Sequence, residues 1–240
     1  MNETVWNGFK RIDFAFEDMD AIIVFPNEPR REKSWLLKTE YFGAFPGFEV
    51  EMLGRGWHLA YVKNVTRWCL DEDLDRKARF AEYLHKEYGL SEKCVPVGMS
   101  CGGLIASKFA ARHPARVSAL YLDAPVMNLL SCPAGIGAPK GNMMAEFERA
   151  FGMSLTELIS DREHPIDKIP LLLENEIPII MVYGDSDDVV PYTENGAILE
   201  RAYRAAGGEL VVIGKAGCGH HPHGLEDNTP IVEFVEKHAI

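Results

Sequence analysis

Short apolar runs alternate with amphipathic segments along most of the 240-residue chain, and this alternation limits the possible folds more than any other feature. Continuous apolar runs are typical of strands that are buried on both faces of a parallel sheet. The predicted strands are residues 9–16, 21–25, 57–62, 93–97, 117–122, 178–183 and 209–213. The pattern predicts an α/β protein with a doubly wound, mostly parallel sheet flanked by helices, and such sheets bind ligands beyond the carboxyl ends of their strands.

The first two strands and one later strand have features of their own. Residues 9–16 alternate apolar and polar side chains, which predicts a half-exposed edge strand, whereas the apolar run 21–25 is typical of a buried parallel strand. Pro96 lies inside the predicted strand 93–97, where a proline removes one hydrogen-bond donor from the ladder. The sequence offers no explanation for this proline.

Helices are predicted between the strands. Residues 71–88 place apolar side chains on one stripe and acidic residues in the first turn, and a second helix runs from about residue 101 to 113. Ser34 to Leu37 is interpreted as the start of an N-capped helix. Three short helices are predicted at residues 143–151, 154–160 and 166–176. The chain is therefore expected to be one domain, residues 1–240, with a small helical cap inserted at about residues 127–176.

Charge and cysteine content exclude several classes of function. The chain has 36 acidic and 25 basic residues, a net charge of −11, and no basic cluster, so nucleic acid is not expected as a partner. No apolar run is long enough for a membrane span, and the N-terminal segment has no apolar signal region, which predicts a cytoplasmic protein. Five cysteines without a CxxC pair favour free thiols. The oligomeric state is not readable.

The motif Gly98-Met99-Ser100-Cys101-Gly102 follows a predicted strand and opens a predicted helix. In that context a G-x-S-x-G motif forms a tight turn that exposes the serine hydroxyl above the sheet. Cys101 would then offer its backbone N–H to a developing oxyanion. The structural alternative is a glycine-rich helix start with a serine N-cap. The context favours Ser100 as a nucleophile.

A serine nucleophile needs a base that is oriented by an acid, and in this arrangement the three residues follow the order Ser, Asp or Glu, His. Asp187 lies in the loop 184–191 after a predicted strand, and Asp123 follows an earlier strand. The loop 217–223 after the last strand contains three histidines. Either aspartate could equally satisfy backbone N–H groups in a turn.

These motifs together resemble those of the α/β-hydrolase family across nearly the whole chain. Segments 35–46 and 219–225 are most similar to small bacterial serine esterases and prolyl-oligopeptidase-like hydrolases. The family's acid loop reads G-x-x-D-x-x-x-P, which falls on Asp187, and its Gly-His loop falls on His220. The resemblance thus implies Asp187 as the acid, with Asp123 as the rival, and His220 as the base. His221 is the runner-up, and His223 is less favoured.

The remaining site predictions concern the oxyanion hole, the pocket and metals. The second oxyanion donor is expected from the loop after residues 21–25, at Asn27 or else Glu28, although the His-Gly of many family members is absent there. Trp35, Trp68 and Met127 are predicted to bind substrate, with core packing as the alternative. The three histidines lack HExxH spacing, so neither a metal ligand set nor a cofactor is expected.

The expected function is hydrolysis of a small or medium carboxylic ester through an acyl-enzyme intermediate. A small peptidase or amidase, or an acyltransferase, would use the same three residues. A non-catalytic ligand-binding protein of hydrolase fold is the alternative from a different class. The expected partner is a small-molecule ester.

Overall fold

The computed structural model describes residues 2–239, and nine strands in this range form one sheet. The strands are β1 (Asn2–Trp6), β2 (Phe9–Phe16), β3 (Met19–Phe25), β4 (Trp35–Lys38), β5 (His58–Val62), β6 (Val95–Met99), β7 (Leu120–Asp123), β8 (Ile179–Gly184) and β9 (Leu210–Lys215). Their order is β1-β2-β3-β5-β4-β6-β7-β8-β9. The ladders from β5 to β9 are parallel, and the ladders β1–β2, β2–β3 and β3–β5 are antiparallel. The predicted mostly parallel sheet is confirmed.

Eight α-helices in the same range flank this sheet on both faces. They are α1 (Gly47–Gly54), α2 (Asp71–Tyr88), α3 (Cys101–Arg112), α4 (Met144–Phe151), α5 (Leu155–Ser160), α6 (Ile169–Glu174), α7 (Gly196–Ala206) and α8 (Thr229–His238). Buried side chains of α2, α3 and α7 pack on one face, and those of α1 and α8 pack on the other. No helix within residues 2–239 has both the length and the apolar character needed to cross a bilayer.

The interpretation of Ser34 to Leu37 as a helix start is wrong, because Trp35 begins strand β4. This strand lies at the centre of the sheet between β5 and β6, and all four of its residues are buried. A four-residue run that is buried on both faces carries no periodicity, so its sequence does not distinguish a strand from one turn of a buried helix.

Two expectations about the start of the sheet are also corrected. Strand β1 occupies the edge, so β2 is the second strand and pairs on both sides. Strand β3 is buried as predicted but runs antiparallel to β2 and to β5. Its carboxyl end at Phe25 therefore lies beside the amino end of β5, on the edge of the sheet opposite to the carboxyl ends of the parallel strands.

The register explains the proline in β6. Cys94 bridges to Val117, and the next pair in the ladder is Val97 with Tyr121. Between these pairs the chain advances three residues along β6, from 94 to 97, and four residues in the segment that leads into β7, from 117 to 121. The β7 segment therefore contains one extra residue. Pro96 lies at this irregular step, where a missing donor is tolerated because bulges interrupt the ladder.

The segment between β7 and β8 contains the predicted short helices, which correspond to α4, α5 and α6. Glu146 of α4 attaches this segment to the loop before α2. Its carboxylate accepts hydrogen bonds from Arg67 Nε at 2.8 Å and from Trp68 Nε1 at 3.1 Å. Phe147 adds an edge-on contact with the Trp68 ring. Helix α4 is therefore held next to the carboxyl edge of the sheet.

Candidate active site

Ser100 lies in a sharp turn between β6 and α3. Its backbone φ is 53°, a left-handed value that costs a non-glycine residue on the order of 1–3 kcal/mol. The turn is crowded: a Cβ at Gly98 would lie 2.5 Å from the Gly102 carbonyl oxygen, and one at Gly103 would lie 2.4 Å from Pro125. Glycine is thus required at 98 and 103, while position 102 is less tight. The surrounding packing keeps Ser100 in this strained conformation and exposes its hydroxyl.

Asp187 follows β8 and is nearly buried. One carboxylate oxygen accepts hydrogen bonds from the Val189 and Val190 backbone N–H groups, both at 2.9 Å. The other oxygen lies 2.7 Å from His220 Nδ1. Burial alone would raise the pKa of Asp187, but these hydrogen bonds outweigh it and hold the pKa below its ordinary value. The carboxylate is therefore charged at neutral pH and fixed in orientation.

His220 lies in the loop after β9, between Asp187 and Ser100. Its Nε2 is 3.0 Å from Ser100 Oγ. Two contacts fix this loop against the acid loop: the Ser186 N–H donates to the Cys218 carbonyl at 2.9 Å, and Asp185 accepts from the Gly217 N–H at 2.7 Å. The structure thus brings together the three side chains that the sequence singled out, in a continuous hydrogen-bonded chain. This arrangement can deprotonate a serine hydroxyl.

Asp123, the rival acid, forms a separate pair with His223. Its two oxygens lie 2.7 Å from His223 Nδ1 and 2.7 Å from the Gly224 backbone nitrogen. Both side chains of the pair are buried. His221 is exposed, and its ring stacks on Phe45 with the centroids 5.4 Å apart. The only imidazole hydrogen-bonded to Ser100 within residues 2–239 is that of His220.

The amide of Cys101 is available at the start of α3. No acceptor within residues 2–239 takes a hydrogen bond from its N–H. The prediction of Asn27 as the second oxyanion donor is wrong, because Asn27 is exposed and follows the antiparallel strand β3 on the opposite edge of the sheet. The loop after β4 lies at the correct edge instead. Thr39 Oγ1 donates to the Gly102 carbonyl at 2.7 Å, and Tyr41 lines the cavity beside Ser100.

A cavity of about 350 Å³ opens directly above the serine. Its walls come from the loop after β4, the elbow, the segment after β7, the acid loop and the histidine loop. The lining residues are Tyr41, Ala44, Phe45, Arg67, Met99, Ser100, Cys101, Cys132, Met143, Val189, Val190, His220, His221 and His223. Most of these side chains are apolar, and a few polar groups lie among them, including Ser100 and the His220 imidazole that contacts it, which is the usual composition of a small-molecule site.

The three predicted substrate-binding residues are not among the lining residues. Trp35, Trp68 and Met127 are each at most 1% exposed. Trp35 Nε1 donates to the Ser91 carbonyl, and the Met127 sulfur accepts a hydrogen bond from the Ser107 hydroxyl. Trp68 packs against α4: its Nε1 donates to Glu146, and its ring contacts Phe147 edge-on. These predictions are corrected: all three side chains belong to the core, the alternative that large apolar residues favour.

Sequence reasoning missed the real walls of the cavity, above all Tyr41, Phe45 and Arg67. The missing signal was strand β4. Had the run Trp35–Lys38 been interpreted as a central strand, the loop after it would have been placed next to the elbow, because parallel strands end at the same edge of a sheet. No local pattern marks Arg67 or Met143, which reach the cavity through the packing of α4.

The comparisons with known proteins agree with this fold. A family model described as the alpha/beta hydrolase fold matches residues 66–152, which include the serine elbow. The chain is 26% identical to the pimeloyl-[acyl-carrier protein] methyl ester esterase of Neisseria meningitidis serogroup B over 163 residues. That alignment covers 50% of this chain and 60% of the relative, so the chain spans less than two thirds of the relative's length.

Solved structures share the fold over nearly the whole chain. A truncated carbohydrate esterase from gut microbiota has a TM-score of 0.73 at 15% identity, covering 92% of this chain and 90% of that chain. The acylaminoacyl peptidase of Pyrococcus horikoshii has a TM-score of 0.70 at 14% identity, covering 96% of this chain and 41% of that chain. With its nine-stranded, mostly parallel sheet and a serine at the turn after β6, the chain is an α/β hydrolase by fold.

Proposed function

We propose that the protein is a serine esterase in which Ser100 is the nucleophile, His220 the base and Asp187 the orienting acid. The observation that carries this proposal is the hydrogen-bonded chain from Ser100 through His220 to Asp187, at the floor of a mostly apolar cavity. The carboxylate–imidazole distance of 2.7 Å and the imidazole–hydroxyl distance of 3.0 Å are within the range that base-assisted attack by serine requires.

The proposed reaction proceeds through an acyl-enzyme. His220 Nε2 takes the proton of Ser100 as Oγ attacks the ester carbonyl carbon, and the charge of Asp187 stabilises the resulting imidazolium. The oxyanion is stabilised by the Cys101 N–H and, we propose, by the Tyr41 N–H in the loop after β4. The Tyr41 N–H donates to Glu40 Oε1 at 3.3 Å, a long contact that the oxyanion would replace. His220 then gives the proton to the departing alcohol. Water, deprotonated by the same imidazole, releases the acid.

The substrate class follows from the size and lining of the cavity. A volume of about 350 Å³ is at the lower end of the range for small-molecule sites, which favours small or medium esters. Residues 127–176 would act as a cap within a single domain, because Met143 and Cys132 of this segment form part of the wall. Five unpaired cysteines support a reducing, cytoplasmic location.

The test is covalent labelling with a fluorophosphonate probe, followed by intact mass measurement and peptide mapping. One probe molecule per chain is expected on Ser100, and Ser100→Ala should remain unlabelled. Ser186→Ala is the matched control, since this exposed serine is next to Asp187 but its hydroxyl bonds only Asp185, and the variant should label as the wild type does. Labelling that persists in Ser100→Ala would refute the nucleophile, and an unlabelled wild type would favour a non-catalytic binding protein.

An amidase is the second candidate, and the fold shared with acylaminoacyl peptidases favours it. Esters and amides use the same acyl-enzyme, so the leaving group decides between the two activities. The protein should hydrolyse a p-nitrophenyl ester with a much higher kcat/KM than the p-nitroanilide of the same acid. A preference for the anilide would assign the site to amides.

A further inference from the structure

Three imidazoles converge at the mouth of the cavity, and the esterase mechanism uses only one of them. The ring centroids of His220, His221 and His223 are 4.8, 5.0 and 4.9 Å apart, so the rings form a nearly equilateral triangle. One nitrogen of each ring lies within 4.8 Å of the corresponding atoms of the other two. Small side-chain adjustments would bring all three nitrogens to a single zinc ion, whose Zn–N bonds are about 2.0–2.1 Å long.

Two of the rings are held from behind by buried carboxylates. Asp187 contacts Nδ1 of His220 and Asp123 contacts Nδ1 of His223, both at 2.7 Å. Histidines that ligate metals typically donate one ring N–H to a carboxylate, which fixes the tautomer and makes the other nitrogen a stronger ligand. Within residues 2–239 the Nε2 atom of His223 has no hydrogen-bond partner, and that of His220 accepts only from Ser100.

The charges at this end of the cavity also favour a cation. Neither Asp123 nor Asp187 forms an ion pair with a lysine or arginine among the described residues; within the same range each is paired only with its histidine. His221 is kept near the other rings by stacking on Phe45, which also contacts His223 edge-on at 5.3 Å.

We propose that His220, His221 and His223 form a reversible zinc site, and that the bound ion switches the enzyme off. A lone pair of His220 Nε2 that is donated to Zn²⁺ can no longer accept the proton of Ser100. The missing HExxH spacing argues only against a zinc site on a helix. The three histidines lie in a loop instead, and tertiary packing brings their rings together. The inhibition rests on the proposed esterase function, but the zinc site itself does not.

Calorimetric titration of ZnCl₂ into EDTA-treated, dialysed protein tests binding without reference to activity. We expect one zinc ion per chain, with affinity at least about tenfold weaker in His221→Ala and in His223→Gln, since each removes a ligand. Asp123→Asn retains all three imidazoles and should weaken binding by about 10–100-fold through the lost carboxylate. His113→Gln is the matched control. His113 also contacts a carboxylate, Asp75 at 2.9 Å, but its ring packs against Phe109 and, within residues 2–239, against no other imidazole.

Zinc binding at wild-type affinity in His221→Ala and His223→Gln, or no saturable binding in the wild type, would overturn the site. The inhibitory role is tested separately, with each variant compared with its own zinc-free rate. Zinc should stop ester hydrolysis and protect Ser100 from the fluorophosphonate, and EDTA should restore both. Activity that requires zinc, or that EDTA abolishes, would overturn inhibition. Zinc-free protein that neither labels nor hydrolyses esters would refute the esterase proposal, while calorimetry would still decide the metal site.

Discussion

Two carboxylate–histidine pairs lie side by side at the carboxyl edge of the sheet, Asp187 with His220 and Asp123 with His223. Their Nδ1–carboxylate distances are equal at 2.7 Å, and the two imidazole centroids are only 5.0 Å apart. They differ at the other ring nitrogen, because only His220 contacts the serine at the elbow. A well-formed Asp–His pair is therefore not sufficient to bring an imidazole to Ser100. The position of each pair relative to Ser100 distinguishes the two.

The largest expected difference comes from replacing the imidazoles. His220→Gln should lower kcat by about 10⁵–10⁶-fold, as loss of the base does in other serine hydrolases, whereas His223→Gln should cost less than about tenfold. Initial rates on p-nitrophenyl acetate, with circular dichroism to confirm folding, measure both. Equal losses in the two variants would show that the second pair takes part in the chemistry.

The carboxylates provide the next test, with a smaller effect. Asp187→Asn should reduce kcat by about 10⁴-fold, because the amide favours the wrong tautomer of His220. Asp123→Asn should change kcat far less, since its histidine does not contact Ser100. The measurement is kcat for both variants at one pH, on the same ester. A reversed ranking would assign the acid to the strand β7 position.

Stability should show the opposite order. His223→Ala leaves the buried carboxylate of Asp123 without its closest side-chain donor, at a cost of about 1–3 kcal/mol. His220→Ala should cost less than about 1 kcal/mol, because Asp187 retains hydrogen bonds from two backbone N–H groups. Urea unfolding at a fixed pH gives both free energies of unfolding. A larger loss in His220→Ala would show that the pair at Asp187 contributes more to stability than the pair at Asp123, which contradicts the prediction.

The smallest expected effect concerns the cavity that both histidines line. Each acyl methylene that fits into the cavity should contribute about 0.8 kcal/mol of binding free energy in the transition state. Once the cavity is filled, further carbons must protrude. We expect kcat/KM on p-nitrophenyl esters to peak between acetyl and butyryl and to fall for octanoyl. A steady rise to long acyl chains would indicate an open groove rather than the cavity of about 350 Å³.

Much of the site could be predicted from local signals. The helix at 71–88 has its own stripe and end signals, and α2 has the same bounds. Ser100, Asp187 and His220 each lie in a loop directly after a recognisable apolar strand, and the resemblance to the α/β-hydrolase family favours Asp187 over Asp123 and His220 over its neighbours. Their roles in catalysis remain predictions until the labelling and mutant kinetics are measured. What is established is that the fold brings the three side chains into one hydrogen-bonded chain.

The errors have one physical origin, which is that direction and contact are properties of the assembled sheet. Asn27 follows an apolar strand as an oxyanion donor should, but β3 runs antiparallel and ends at the wrong edge. Trp35, Trp68 and Met127 are large and apolar, which suits a core as well as a pocket, and packing placed them in the core.

The sequence by itself determined the class of fold, the helix at 71–88 and the loops that carry Ser100, Asp187 and His220, because periodicity and turn residues act over a few positions. Only the tertiary structure decided that β4 is a central strand, that the loop after it lies beside the serine, and that three histidines of one loop face one another. These features depend on strand order and on residues far apart in the chain. Local sequence patterns therefore do not predict them.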